Sequence, residues 1–286
     1  MIKVLVTGAT GFVGNYVVEK LLEKDLSVIA SSSKRDTAIH KPWFKNVTYV
    51  PLDLKNIDDK INYFEFFNKP DALIHLAWQG LPNYNEDFHV SENLPKHISF
   101  LKNIVENGLK SLTVTGTCLE YGLIEGCLKE SLDVKPTTCY GIAKNELRIM
   151  LEALTNEYPF NLKWLRLFYM YGKGQSPKSL LSQLEKAVND NEPEFKMSGG
   201  KQLRDFLPVE KMAEYIVDAA LQDEVSGIIN CCSSNPISVY DFVLNYLKQQ
   251  NKTIKLLTGY YPYTVYEPME FWGDNNKLKR ILKVEA

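Results

Sequence analysis

Short runs of β-branched and apolar residues alternate along this chain with longer stretches whose apolar side chains recur at helical spacing. The strand-like runs are Lys3–Thr7, Ser27–Ser31, Thr48–Pro51, Ala72–Leu76, Ser111–Thr115, Leu162–Leu167 and Ile228–Cys231. The 3.6-residue period predicts helices over Asn15–Lys24, Ile57–Phe67, Phe88–Asn107, Tyr140–Glu157 and Val209–Leu221. Pro95 falls inside the third of these and marks an early turn or a kink, because it lacks an N–H to donate. Apolar strands separated by helices predict an α/β fold, a parallel sheet covered on both faces. In such a sheet ligands sit at the carboxyl ends of the strands, so chemistry is sought just after each one.

The first strand is followed by Thr7-Gly8-Ala9-Thr10-Gly11-Phe12-Val13-Gly14. A buried strand, a glycine turn and a helix start together expose backbone N–H groups at the positive end of a helix dipole, which suits a phosphate. Gly8 permits the tight turn, Gly11 lets a pyrophosphate approach, and Gly14 lets helix and strand lie close. An ordinary strand-loop-helix turn is the plainer reading; position after an N-terminal strand favours a dinucleotide. After the second strand, Ser31-Ser32-Ser33-Lys34-Arg35 lacks the carboxylate that would bind an NAD ribose, with Ser32 in its place. Hydroxyls and two cations suit a 2′-phosphate instead, so NADP is expected, with NAD possible. Asp53-Leu54 follows the third strand and is placed for adenine, although taken alone Asp53 reads as a surface aspartate. Leu76-Ala77-Trp78 brings small and flat residues to the cofactor's edge, and His75 reads as a strand histidine rather than a base.

Composition narrows the class. The 286 residues are 45% hydrophobic and 24% charged with net charge −2, which bounds the chain to one or two domains. This balance offers no electrostatic case for nucleic acid or an anionic membrane. No run of 18 apolar residues predicts a span, and the first strand leaves no room for a signal peptide. Five cysteines without zinc-like spacing read as free thiols in a cytoplasmic protein. The dispersed His40, His75, His89 and His97 make a poor metal site.

The fifth strand runs out into Thr115-Gly-Thr117-Cys118-Leu119-Glu120-Tyr121-Gly122, and Tyr140-Gly-Ile-Ala-Lys144 opens a later helix. A lysine four residues beyond a tyrosine shares its helix face, and a nearby ammonium lowers a phenol's pKa. Tyr140 is then a usable proton donor and acceptor, with Thr117 able to hold the same substrate oxygen. The same spacing occurs at Tyr16/Lys20 and Tyr169/Lys173. Tyr16 lies on the core side of the first helix, and a Tyr-Gly loop interrupts the last pair. Only Tyr140/Lys144 follows a hydroxyl-bearing strand end.

Together with Arg166-Leu-Phe-Tyr-Met-Tyr171-Gly172 and Arg204-Asp-Phe, these motifs resemble the extended short-chain dehydrogenase/reductase family of NAD-dependent epimerase/dehydratase type, along nearly the whole chain. The resemblance implies a Rossmann doubly wound parallel sheet with a smaller C-terminal substrate lobe. It divides the chain into a dinucleotide-binding domain of residues 1–171, to which 207–232 return, and a sugar-nucleotide lobe of 172–206 and 233–286. It makes Tyr140 the acid/base, gives Lys144 the nicotinamide ribose and Thr117 the sugar oxygen, and lines the same cleft with Thr115 and Leu167. Trp78, Cys118, Tyr169 and Arg204 fall at substrate positions, Arg204 as a diphosphate grip; Tyr169 stands where many relatives carry an asparagine. The aromatic tail Tyr260–Trp272 could stack on a base, but lobe core is the plainer reading. A homodimer through the helices near Phe88–Asn107 and Tyr140–Glu157 is implied by the same analogy.

The residues also select among reactions. Cys118 and Leu119 occupy the places where dehydratases carry an Asp-Glu pair, so dehydration is not expected. A 3,5-epimerising reductase needs a second acid/base, and no histidine follows His97. The residues present suffice to reduce a 4-keto group, and the texture resembles reductases of dTDP-linked 4-keto-6-deoxysugars. A 4-epimerase with tightly held NAD and a non-catalytic dinucleotide sensor are the alternatives.

Overall fold

The structure, a computed structural model, describes residues 2–283. Seven parallel strands form one sheet: β1 (Lys3–Thr7), β2 (Ser27–Ser31), β3 (Thr48–Tyr49), β4 (Ala72–His75), β5 (Ser111–Thr117), β6 (Asn161–Leu167) and β7 (Gly227–Cys231). Their spatial order is β7-β6-β5-β4-β1-β2-β3. Chain order reverses at β1, whose Val4–Thr7 pair with Ala72–His75 on one side while Lys3–Thr7 pair with Ser27–Ser31 on the other. That reversal opens a crevice at the carboxyl ends of β1 and β4.

Alternate residues of β1 serve two cores. Val4 and Val6 pack with Val17 and Leu21 of α1 (Phe12–Glu23) and Ile216 of α5 (Val209–Ala220). Leu5 packs instead with Phe100 and Ile104 of α2 (Leu94–Glu106) and Leu147 and Leu151 of α3 (Cys139–Leu154). Helices thus cover both faces, the doubly wound Rossmann arrangement expected. A separate cluster joins Leu181 and Leu184 of α4 (Leu180–Asn189) to Phe195, Met197 and, from α6 (Val239–Gln249), Phe242 and Val243. Short strand pairs flank it, among them Tyr169–Tyr171 parallel to Phe206–Pro208.

Two predicted helices differ from the observed elements. Within residues 57–67 only Tyr63–Phe66 is α-helical, preceded by a 3₁₀ turn at Leu54–Asn56. Asp53, Asp58 and Asn62 accept from the backbone N–H groups of Lys55, Lys60 and Glu65, local bonds that compete with a continuous helix. The predicted Phe88–Asn107 helix starts with a π-helical turn, His89–Asn93, and α2 then begins with Pro95 in its first turn. The amphipathic helices α4 and α6, and Asn276–Leu282, were not predicted. Among the described residues no helix is long and apolar enough to cross a membrane. All five cysteines are free thiols.

Candidate active site

The crevice is built first from backbone. A Cβ on Gly8, whose φ is +73°, would stand 2.7 Å from the Ala77 nitrogen. One on Gly14 would lie 2.1 Å from the Gly8 carbonyl oxygen. These two positions let the turn close over β4 and let α1 start directly on it. Gly11 caps α1 with no side-chain hydrogen bond, so the first-turn N–H groups are left for an anion. The cradle therefore fits a dinucleotide pyrophosphate.

A cavity of ≈ 610 Å³ extends from this turn, a size suited to a substrate of cofactor class. Gly8, Gly11, Phe12, Val13 and Gly14 wall one end. Leu76, Trp78, Thr115, Leu167, Thr117, Cys118, Tyr140, Lys144 and Tyr169 are also among its walls. Thr10, Ser31–Arg35, Asp53, Leu54, Ala77 and Arg204 are not among its walls. Leu54 and Ala77 pack instead into the apolar core. Ser32 bonds Tyr49 (Oγ to Oη 2.9 Å), Arg35 lies over the Phe44 ring, and Asp53 caps the Leu54–Asn56 turn.

The end of β5 is fixed from below by a buried ion pair. Glu120 accepts from the Thr117 backbone N–H at 2.8 Å, from Arg166 Nε at 2.7 Å and from Trp164 Nε1 at 3.0 Å. Arg166 in turn lies 4.4 Å from the Tyr121 ring centre. Thr117 Oγ1 accepts from the Leu119 N–H at 3.2 Å. Leu119-Glu-Tyr-Gly and Arg166-Leu-Phe are separate stretches of the sequence, and the contact between Glu120 and Arg166 joins them.

Tyr140 opens α3, whose N-cap Thr138 accepts from Gly141 N–H. Its own N–H donates to the Tyr84 carbonyl at 2.9 Å, holding the segment after β4 against the helix. Burial pushes the Tyr140 phenol well above its ordinary pKa; Tyr84, Glu120 and Cys118 add to the rise, and a hydrogen bond with Thr117 opposes it. This corrects the expectation that Lys144 would dominate by lowering it. The phenol in this cleft is therefore protonated near neutral pH. Lys144 Nζ donates to the Thr115 carbonyl at 2.8 Å and lies 4.1 Å from the centre of the Trp78 ring. Burial pushes its ammonium down to about 7, against an opposing pull from Glu120. Burial also pushes the Cys118 thiol up, so it is not a base near neutral pH.

His75 is a strand histidine as expected, fully buried, with Nδ1 2.7 Å from Thr7 Oγ1 and Nε2 2.7 Å from His97 Nδ1. Arg204 does not face the cavity. Its guanidinium is buried, donating to the carbonyls of Leu203, Met269 and Pro268 and, at 3.2 Å, to Glu267. Asp205 is not its partner; it accepts from Ser233 and Ser234. The partner of Arg204, Glu267, is a cavity wall, as is Tyr169, whose ring centre lies 5.7 Å from the guanidinium.

Glu267, Tyr84, Gln175 and Lys178 line the cavity without having been singled out in the sequence. All lie in loops, where no period marks a facing side chain. The one available signal is the carboxylate within the aromatic tail: Tyr169 donates to Glu267 Oε1 at 2.6 Å. Among the described residues no group of His, Cys, Asp and Glu is arranged to hold a metal.

Residues 4–232 match the model of the NAD dependent epimerase/dehydratase family. The chain is 31% identical over 271 residues to dTDP-6-deoxy-L-talose 4-dehydrogenase (NAD(+)) of Aggregatibacter actinomycetemcomitans, covering 94% of this chain and 98% of that protein. It is 24% identical over 295 residues to the UDP-glucuronate 4-epimerase of Thermodesulfobacterium geofontis, covering 98% and 90%. UDP-glucuronic acid 4-epimerase from Bacillus cereus, solved with UDP-glucuronic acid and NAD, shares the fold at a TM-score of 0.83 and 22% identity, covering 100% of this chain and 94% of that one. The cradle, the sheet and these likenesses lead to one conclusion: the chain is an enzyme of the NAD-dependent nucleotide-sugar epimerase/dehydratase family.

Proposed function

We propose that the protein reduces the C4 ketone of a nucleotide-linked 4-keto-6-deoxysugar, with dTDP-4-dehydro-6-deoxyglucose as substrate and dTDP-fucose as product. The observation that carries the reading is the meeting of Thr117, the protonated Tyr140 phenol and Lys144 on one wall of the cavity that begins at the glycine turn. The relative named a dTDP-6-deoxy-L-talose 4-dehydrogenase supports the choice of carbon. Oxidation at C4 and reduction at C4 are one reaction run in opposite directions.

The residues of the cradle fit the dinucleotide: the backbone N–H groups of Phe12 and Val13, at the start of α1, would hold its pyrophosphate, and Lys144 with Thr115 would hold the nicotinamide ribose. When bound, the reduced nicotinamide supplies a hydride to C4. Thr117 hydrogen-bonds the ketone oxygen and keeps the carbonyl facing the cofactor. Tyr140 donates its phenolic proton to the oxygen as negative charge develops there, then regains one from solvent. Its raised pKa keeps the phenol protonated before the step, while making it a weaker acid than a free phenol. The lobe formed around α4 and α6 closes the sugar-nucleotide end, and two copies associate through α2 and α3.

For the 2′ group, the loop after β2 supports NADP. No carboxylate occurs between Ser31 and Arg35, and among the described residues neither Lys34 nor Arg35 has an acidic partner within ion-pair distance. The test is to mix the purified protein with the 4-keto-6-deoxysugar and follow absorbance at about 340 nm. The reading expects one reduced cofactor consumed per sugar reduced, faster with NADPH than with NADH. Equal rates would overturn the NADP preference alone. Absence of turnover with both would overturn the reductase. The relatives named 4-epimerases favour a second reading, which predicts interconversion of two sugars with no net consumption of cofactor.

A further inference from the structure

Trp78 makes an arrangement that neither the glycine cradle nor the Tyr-Lys spacing requires. Its ring centre is 4.1 Å from Lys144 Nζ. The indole Nε1–H donates to His89 Nδ1 at 3.0 Å, so His89 carries its own proton on Nε2, which faces the Asn83 carbonyl at 2.9 Å. His97 packs against the indole with ring centres 4.5 Å apart and the planes inclined by 33°. His97 is itself held by His75, and His75 by Thr7 at the end of β1. The Trp78 ring is therefore fixed in place and in tilt by two elements, the π-helical turn and α2. Lys144 has one hydrogen-bond acceptor, the Thr115 carbonyl, and is almost wholly out of water.

We propose that Trp78 is a positioning residue that keeps the Lys144 ammonium charged and aimed along the cavity by offering its ring face as the cation's second partner. The inference rests on the assignment of Lys144 to the reaction made above. A π face attracts an ammonium without accepting a hydrogen bond, so it stabilises the charge while leaving the remaining N–H groups free for a bound ribose. The groups around Lys144 cannot do this. Glu120 favours the cation but is committed to Arg166. The imidazoles of His75, His89 and His97 are kept neutral by burial, and any charge on them would repel Lys144. Tyr140, Tyr84 and Cys118 are neutral, with their ionisations pushed up by burial.

The test is the pH dependence of kcat/KM, whose upper limb in the free enzyme reports loss of the Lys144 proton near pH 7. Removing the π face favours the neutral amine. Trp78→Leu is expected to move that limb down by about one pH unit, and Trp78→Phe, which keeps a weaker face, by less than half as much. A folded Trp78→Leu protein with an unmoved limb would overturn the inference even if it turned over slowly, since a merely structural role predicts that result. Lys144→Met separates the two levels. Loss of turnover there with an unmoved limb in Trp78→Leu rejects only the role of Trp78, whereas full turnover in Lys144→Met rejects the site assignment and the inference with it.

Should Trp78→Leu not fold, fluorine NMR of the intact protein decides the matter. With 5-fluorotryptophan at the four tryptophans, the resonance that disappears in Trp78→Phe is expected to titrate near pH 7 and to stay flat in Lys144→Met. A flat resonance in the otherwise unaltered protein would overturn the proposal.

Discussion

At the scale of single residues, the Thr117, Tyr140 and Lys144 set was visible in sequence because its members stand at strand and helix ends. What the sequence did not convey was how burial changes their chemistry. The expected lowering of the Tyr140 phenol by Lys144 gives way to a rise caused mainly by desolvation, and Lys144 is itself pushed down. Nor did any local pattern join Glu120 to Arg166, 46 residues apart, although both lay in motifs that drew attention. Removing one partner of this pair would leave the other charged, buried and unmatched. Glu120→Gln is therefore expected to lower the unfolding free energy by about 3–5 kcal/mol, measured by urea denaturation. A change of under about 1 kcal/mol, the range of exposed pairs, would show that the end of β5 is held by other means.

Elements were legible in proportion to how far their own residues decide them. Each of the seven sheet strands was recovered to within about two residues, since buried parallel strands are short apolar runs whatever surrounds them. The helices α1, α2, α3 and α5 that cover the sheet show the apolar stripe that buries them, and these too were recovered, unlike Asn276–Leu282. In residues 57–67 the apolar spacing was misleading, because Asp53, Asp58 and Asn62 take the backbone N–H groups that a helix would use. The helices α4 and α6 escaped prediction although both are amphipathic and begin at serine caps, Ser179 and Ser238. Both fall in the stretches read beforehand as a substrate lobe, where the alternation of strand and helix breaks off. The loops that bring Tyr84 and Glu267 to the cavity have no period, and only the folded chain assigns them a side.

For the molecule as a whole, the reversal of strand order at β1 sets the crevice, and the glycine turn, Gln175, Lys178 and Glu267 are among the walls of the cavity there. Along α3, Ile142, Ile149 and Met150 remain more than a third exposed. They give the outer face of this helix the apolar character that association through α2 and α3 requires. Sedimentation at twice 32.7 kDa is expected, and a species at 32.7 kDa across the working concentration range would contradict the homodimer. The central claim is that one buried phenol delivers the proton while the cofactor delivers the hydride. Its most direct test is Tyr140→Phe, assayed for turnover of the 4-keto-6-deoxysugar beside a titration of dinucleotide binding. The account predicts a fall in kcat of about 10²–10⁴-fold with dinucleotide affinity retained. Turnover at the rate of the unaltered protein would contradict it.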